Sequence, residues 1–116
     1  MKRLDSHVIG IDEGDPVLFS DYETEGEMWT GRGARERRRF IKFSQVFKSP
    51  PVVHVSLSMW DMDTTVMLRG DIQAEMVTEE GFDLVFRTWG DSRVARARIR
   101  WIAIGELPAE DDWELY

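Results

Sequence analysis

Four segments of this chain alternate between apolar and polar residues with a period of two, the pattern of β-strands that bury one face. They lie at 53–60, 68–76, 82–87 and 95–103. In the last one, a polar row of three arginines faces away from an apolar row: Ala95, Ala97, Ile99, Trp101 and Ala103 alternate with Arg96, Arg98 and Arg100. Turn-like residues at 61–63, 79–81 and 89–92 separate the segments. Short strands at this even spacing predict an all-β fold, a sandwich or barrel of antiparallel strands.

The rest of the chain gives the domain organisation. Ile41 and Phe43 predict another strand, and residues 7–11 one more, whereas residues 12–33 are acidic and aperiodic and predict a long loop. In the strand at 53–60, Val53, Val55, Leu57 and Met59 form the predicted apolar row, and His54, Ser56, Ser58 and Trp60 the polar row. With 116 residues we expect one domain at 1–105 and an acidic tail at 106–116 that frays rather than docking through Trp113 and Tyr116.

Composition excludes several classes of protein. No cysteine is present, so disulfides, thiolate metal sites and thiol nucleophiles are absent. No apolar run approaches the roughly 20 residues of a membrane span, so we expect no membrane insertion. Residues 1–7 lack a signal-peptide core, so we expect synthesis in the cytoplasm, with non-classical release or incorporation in a phage-like particle left open. A formal net charge of −7 argues against nucleic acid as a partner.

Charge is segregated along the chain. Residues 5–27 contain eight acids and neither Lys nor Arg, residues 28–48 are basic, and residues 106–116 are acidic again. We predict that these charges neutralise one another within one chain or between neighbours. The row of Arg96, Arg98 and Arg100 would be costly if buried unpaired, so it faces solvent or meets acids such as those of 12–27 on another chain.

Catalytic and metal chemistry is poorly supplied. The two histidines are His7 and His54, and the second lies mid-strand, as an ordinary surface or interface residue would. Ser56, His54 and Asp61 could form a triad on paper, but no nucleophile-elbow signature accompanies them. The turn at 61–63 has too few oxygen ligands for a calcium loop. We therefore predict a protein that is not an enzyme and has neither a metal site nor a cofactor.

Residues suited to binding sugars are better supplied. A sugar ring has an apolar C–H face that packs on an aromatic ring, and vicinal hydroxyls that suit a guanidinium or a carboxylate. Arg69 lies on the polar face of its strand, and Trp89 begins a turn that continues with Gly90 and Asp91. Considered on its own, Trp89 is equally suited to covering the second face of the sheet or to lying at an interface.

From Phe43 to Ile104 the chain resembles the H-type lectin domain of snail agglutinins and slime-mould discoidins. An aromatic residue precedes the proline pair (Phe47, then Pro50-Pro51), and the strand His54-Val55-Ser56-Leu57-Ser58 follows. The later landmarks are Leu68-Arg69, Gly81-Phe82, Thr88-Trp89 and Ile99-Arg100-Trp101-Ile102-Ala103-Ile104. The resemblance implies a six-stranded antiparallel β-sandwich that forms homotrimers, with metal-free sites for galactose or N-acetylgalactosamine between neighbouring subunits.

The resemblance also implies roles for particular residues. Arg69 matches the arginine that binds the sugar hydroxyls, and Trp89 matches the aromatic residue contributed by a neighbouring subunit. Three other family contacts are replaced here: Gly90 stands for a histidine, Ala95 for a tyrosine, and Gly33 for an aspartate. The family's cysteines are replaced by Glu13, Lys48 and Phe86.

Two functions follow as hypotheses. The first is a trimeric carbohydrate-binding module of galactose type or of altered specificity. Its predicted site residues are Arg69, Trp89, Gly90, Asp91, Arg32 and Gly33, and an acidic glycan would meet Arg32 and Arg93. The alternative is a trimeric structural or assembly protein of a bacterial surface or phage-like particle that has lost the sugar site.

Overall fold

The two sheets of the fold are antiparallel and pack face to face, which confirms the all-β sandwich. The computed structural model describes residues 1–5 and 7–109. The described elements are β1 (Ile9–Gly14), β2 (Val17–Ser20), α1 (Glu27–Thr30), β3 (Arg35–Lys42), β4 (Val52–Met62), β5 (Asp71–Glu75), β6 (Gly81–Thr88) and β7 (Val94–Glu106). We call the sheet of β1, β2, β4 and β7 the β7 sheet, and the sheet of β3, β5 and β6 the β6 sheet.

The strand count is seven within the described residues, one more than the six expected. The extra strand arises because β1 and β2 lie end to end along the same edge of β7: β1 pairs with residues 101–106 and β2 with residues 96–98. Pro16 separates them because it has no N–H to donate to the ladder. Its carbonyl still accepts a hydrogen bond from the Ile99 N–H at 3.0 Å. The two strands are therefore one edge strand broken at a proline, and β4 pairs along the opposite edge of β7.

The core lies between β6 and β7, the central strands of the two sheets. Phe82, Leu84 and Phe86 of β6 are fully buried, as their alternation predicted. Trp101 of β7 packs edge-on against Phe82 with ring centroids 5.4 Å apart, and Phe43 stands 5.7 Å from Phe82. These aromatic rings provide the large apolar area that holds two three-strand-wide layers together without disulfides.

The prediction of one long loop over residues 12–33 is wrong. The segment contains the end of β1, all of β2 and the four-residue helix α1. It is anchored by the buried carboxylate of Asp21, which accepts from the Met28 N–H at 3.0 Å and from Arg37 at 2.7 Å. Short elements of this kind give no periodic signal, because four residues span only one helical turn or two side chains per strand face.

The predicted phase of the alternation was wrong at the end of β4, and the predicted bounds of the next strand were too wide. A bulge between Leu57 and Met59 places Met59 opposite Arg98 and Trp60 opposite Ala97, which is a core residue. Because residues directly opposite each other share a sheet face, the bulge reverses the predicted sides of Met59 and Trp60. In the next strand Ile72 and Ala74 pack on the core as expected, but Leu68 and Met76 lie outside β5 and are exposed.

The arginine row of β7 is partly exposed and meets acids of its own chain. Arg100 contacts Glu13 at 3.2 Å, Arg98 contacts Asp15 at 3.6 Å, and Arg96 contacts Asp61 at 3.3 Å. Two of the three acids belong to the acidic zone at 12–27, as expected, but they come from the same chain.

The outer face of the β6 sheet carries a denser ion-pair network. Glu75 accepts from Arg87 at 2.7 Å and from Arg38 at 2.8 Å. These two guanidinium groups, Arg87 first, lower the pKa of Glu75 to about 2. Arg38 also contacts Asp83 at 2.9 Å. Beneath these long side chains Val85 is fully buried, so the network covers what would otherwise be an apolar spot on the sheet.

The acidic tail begins inside the fold. Glu106 belongs to β7, and Leu107 packs against the core while its N–H donates to the Val8 carbonyl at 2.9 Å. The prediction that the tail frays from residue 106 onward is therefore wrong for Glu106 and Leu107. Trp113 and Tyr116, which were considered as residues that dock the tail, lie outside the described residues.

Candidate carbohydrate-binding site

The turn between β6 and β7 is shaped by a glycine at the position of the family's histidine. Gly90 has φ +69°, a left-handed conformation that residues with a Cβ rarely adopt. A Cβ at this position would lie 2.8 Å from Nη1 and 3.0 Å from Cζ of Arg69. The glycine therefore allows the Arg69 guanidinium to lie directly against the turn.

Arg69 and Asp91 form an ion pair at the centre of the site. Nη1 of Arg69 contacts Oδ1 of Asp91 at 2.6 Å and also donates to the Met67 carbonyl at 3.3 Å. The hydrogen bond from Arg69 is the main cause that lowers the pKa of Asp91, and the charge of Arg32 adds to it. Among the described residues, Nε and Nη2 of Arg69 have no hydrogen-bond partner.

The backbone of Arg69 is fixed by two buried hydroxyls that the sequence did not single out. Oγ of Ser92 accepts from the Arg69 N–H at 2.9 Å and donates to the Met67 carbonyl at 2.6 Å. Oγ1 of Thr88 donates to the Arg69 carbonyl at 2.6 Å. Both side chains are fully buried, so Arg69 is positioned by hydrogen bonds that solvent does not weaken.

A third residue that was not predicted from the sequence is Arg35, which is buried and binds carbonyl oxygens around the site. It donates to Gly33 at 3.0 Å, to Ser92 at 2.8 Å, to Gly90 at 3.3 Å and to Met28 at 3.2 Å. Burial is the main cause that lowers its pKa. The N–H of Gly33 also donates to the Gly90 carbonyl at 2.8 Å. Arg35 thus joins α1, the turn at Gly33 and the turn at Gly90 into one unit.

Beside Asp91 lies an open, polar cleft of about 390 Å³, which we call the arginine cleft; it is lined by Thr30, Gly31, Arg32, Val66, Asp91 and Arg93. The guanidinium of Arg93 stacks on the Trp29 ring at 4.0 Å and donates to the Trp29 carbonyl and to Asp63. Asp63 in turn is held by Thr65, whose hydrogen bonds, ahead of Arg93, lower its pKa. The cleft therefore offers two guanidinium groups and one carboxylate.

The structure brings together five of the six site residues predicted from the sequence. Arg69, Gly90 and Asp91 are in contact, Arg32 shares the arginine cleft with Asp91, and Gly33 is hydrogen-bonded to the Gly90 carbonyl. Trp89 is 46% exposed and lines a different cleft, together with Ala34, Arg35, Glu36, Arg87 and Thr88.

Chemically, the arrangement suits a ligand with neighbouring hydroxyls. Arg69 offers free N–H donors, and Asp91 beside it offers acceptor oxygens, so one pair of vicinal hydroxyls can donate to one group and accept from the other. The carboxylate that the family resemblance would place at Gly33 is thus available from Asp91. The described residues contain no group of three or more His, Cys, Asp or Glu side chains placed to hold a metal ion. In the same part of the chain, no helix has the length and apolar character to cross a membrane.

The comparisons with known proteins agree on the fold. The family model of the H-type lectin domain matches residues 38–104. Two structures of discoidin II from Dictyostelium discoideum superpose with TM-scores of 0.75, at 25% and 26% identity; they cover 90% and 86% of this chain, but this chain covers only 39% and 38% of theirs.

This chain matches almost the whole of one sequence relative but less than a third of another. A protein named ATP synthase subunits region ORF 7, from Fuscovulum blasticum, is 49% identical over 115 residues, which is 99% of both chains. Discoidin-2 from D. discoideum is 33% identical over 76 residues, 65% of this chain and 30% of the relative. The chain thus spans less than a third of that discoidin.

Proposed function

This chain belongs to the H-type lectin domain family, and from that premise we propose that it is a carbohydrate-binding module whose sites form between the subunits of a homotrimer. The lectin-like fold implies glycan binding in general, and the family is non-enzymatic in general. The trimer, the residues of the site and the class of glycan are our proposals.

The ion pair of Arg69 and Asp91 is the observation that carries the proposal. It places a donor and an acceptor side by side at the mouth of a cleft, and each side chain keeps polar atoms free for a ligand. Ser92 and Thr88 hold the arginine in place before any ligand arrives. Such preorganisation lowers the ordering cost of binding.

The proposed glycan is acidic. Gly90, Gly33 and the buried Ala95 supply none of the histidine, aspartate and tyrosine contacts that the family resemblance implies for N-acetylgalactosamine. Arg32 and Arg93 in the arginine cleft instead favour a sugar that carries a carboxylate or a sulfate, because guanidinium groups bind such anions in a planar, bidentate way.

Two features of the surface support a trimer. Trp89 is exposed on a different cleft from Arg69, which suits an aromatic residue that serves the site of a neighbouring subunit. At one end of the outer face of the β7 sheet, Ile11, Ile104 and Val52 lie side by side across three strands. We call this group the isoleucine patch; Ile11 in it is 65% exposed, and apolar patches of this kind mark interaction sites.

A glycan array followed by calorimetric titration tests the proposal. We expect an acidic glycan to bind, with affinity that falls at least tenfold in Arg69→Ala, since a hydrogen bond to a charged group contributes about 1.5–3 kcal/mol. Arg96→Ala is the matched control, because Arg96 is also an exposed arginine paired with an aspartate, Asp61 at 3.3 Å. No binding on the array, or an equal loss in both variants, would contradict the proposed site.

The alternative is a trimeric structural or assembly protein that has lost the sugar site. The observation that favours it is the isoleucine patch, because an exposed apolar surface also suits binding to a different protein chain. Affinity capture with the full chain and with residues 110–116 deleted tests this alternative, because that deletion leaves Glu106 and Leu107 in the fold. A specific protein partner that depends on the tail, together with an array that shows no glycan, would favour it over the lectin.

A further inference from the structure

A second cleft, about 230 Å³ in volume, opens beside Arg69 between β4 and the segment at 68–70 that precedes β5. We call it the Trp60 cleft; it is lined by Leu57, Trp60, Met62, Leu68, Arg69 and Gly70. The side chains that line the Trp60 cleft are apolar except for Arg69, whereas the arginine cleft is polar. Trp60 is 58% exposed, and among the described residues its ring has neither an aromatic nor a cationic partner.

The β4 bulge creates this cleft. It turns Trp60 toward the side of Ala97, which faces the core. The opposite sheet does not cover the ring there, because β5 begins only at Asp71. A bulge conserves the core contacts of Val53, Val55 and Leu57 while re-aiming the next side chains, which is a common way to place a residue at a site.

We propose that the Trp60 cleft is a second sugar subsite, in which the Trp60 ring packs against the C–H face of one sugar unit while Arg69 donates hydrogen bonds to its hydroxyls. This proposal rests on the proposed function and names its ligand more closely. The ligand is an oligosaccharide of at least two units, which lies across Arg69. Its acidic unit occupies the arginine cleft and its neutral unit the Trp60 cleft.

The chemistry of the cleft selects this occupant. A tryptophan beside a guanidinium matches a ring with one apolar face and a rim of hydroxyls. Leu57, Met62 and Leu68 bring no counter-charge, so the unit bound here is neutral. Pockets for drug-sized ligands measure about 300–1,000 Å³, and the smaller volume of this cleft suits a single sugar ring. Arg69 can serve both units, because Nη1 binds Asp91 while Nε and Nη2 stay free.

The test compares disaccharides with their component sugars. An array of disaccharides that join a sialic or uronic acid to a neutral hexose identifies the best ligand. Titration then measures that disaccharide and its free acidic sugar against the wild type, Trp60→Ala and Trp60→Phe. We expect Trp60→Ala to weaken binding of the disaccharide roughly tenfold and to leave binding of the acidic monosaccharide unchanged. Trp60→Phe retains a ring and should lose less.

Phe40→Ala is the matched control, because Phe40 is also an aromatic residue 58% exposed but lies on β3, away from both clefts. Its affinities should equal those of the wild type, and thermal melting shows whether each variant is folded. A wild type that binds the acidic monosaccharide as tightly as every disaccharide overturns the subsite and leaves the proposed function standing. A wild type that binds no sugar overturns both. A lower assembly mass in Trp60→Ala would show that a second copy occupies the cleft, and would also overturn the subsite.

Discussion

Replacing Gly90 by alanine should separate the stability of the fold from the affinity of the site. The new Cβ would meet Nη1 of Arg69 at 2.8 Å, which is too close for van der Waals contact. The guanidinium is the mobile end of a long side chain, so it would move rather than strain the fold. Its movement breaks the contact of 2.6 Å with Asp91 and displaces the donors of both proposed sugar units.

The expected magnitudes differ for the two properties. A residue with a Cβ at φ +69° is destabilised by about 1 kcal/mol in the left-handed region, which corresponds to a fall in melting temperature of roughly 4 °C for a domain of this size. Loss of one charge-assisted hydrogen bond to the glycan costs about 1.5–3 kcal/mol of binding free energy, a fall in affinity of about 10- to 100-fold.

Gly33→Ala provides the control for backbone strain. Gly33 has φ +76°, and a Cβ there would have no atom within 4 Å. Both variants should therefore unfold at similarly lowered temperatures by circular dichroism, whereas Gly90→Ala should lose much more glycan affinity by titration. Equal affinities in the two variants would refute the reasoning that Gly90 is needed to position Arg69.

Three further predictions concern the core, the ion pairs and the assembly. Phe86→Ala removes a fully buried ring and should lower the free energy of unfolding by about 3–5 kcal/mol, measured with urea; a loss below about 1 kcal/mol would contradict the assigned core. Glu75 has a folded-state pKa lowered from 4.5 to about 2, so its stabilising effect is complete above pH 4.5 and is lost as the pH falls toward 2. Melting curves of Glu75→Gln should therefore lie below those of the wild type at pH 7 and converge with them near pH 2; a constant gap would argue against the ion pairs. Ile11→Arg should reduce the mass of the assembly in light scattering, whereas Val46→Arg, at another exposed apolar residue, should not; an unchanged mass in both would exclude the isoleucine patch as the interface.

The sequence predicted those parts of the fold that depend on regular alternation over many residues. The apolar rows of β6 and β7 were found correctly because the side chains of each row face the core. The bulge at Leu57 was not predictable, because it shifts the phase by one residue and leaves no mark in the residue types. Trp60 was consequently assigned to the wrong face.

The candidate site, like the fold, was predicted from the sequence only in part. The sugar-binding roles of Arg69 and Trp89 came from the family resemblance, whereas no role in the site was predicted for Arg35, Ser92 or Thr88. Arg35 binds carbonyls of residues as far as 57 positions away, and every residue has a backbone carbonyl, so no spacing of residue types reveals the contact. Buried arginines are rare enough to be informative once a structure is available, but in the sequence Arg35 is one of several basic residues in a basic zone.

The two outer faces of the sandwich differ in chemical character. Ion pairs among Arg38, Glu75, Asp83 and Arg87 cover Val85 on the β6 sheet, so this face is largely charged apart from Phe40, which lies opposite Asp83. The outer face of the β7 sheet, by contrast, ends in the isoleucine patch. A molecule that adheres through one side only forms closed assemblies in preference to stacks or fibres. In the proposed homotrimer, subunits would meet through the isoleucine patch and leave the ion-paired outer face of the β6 sheet in contact with solvent.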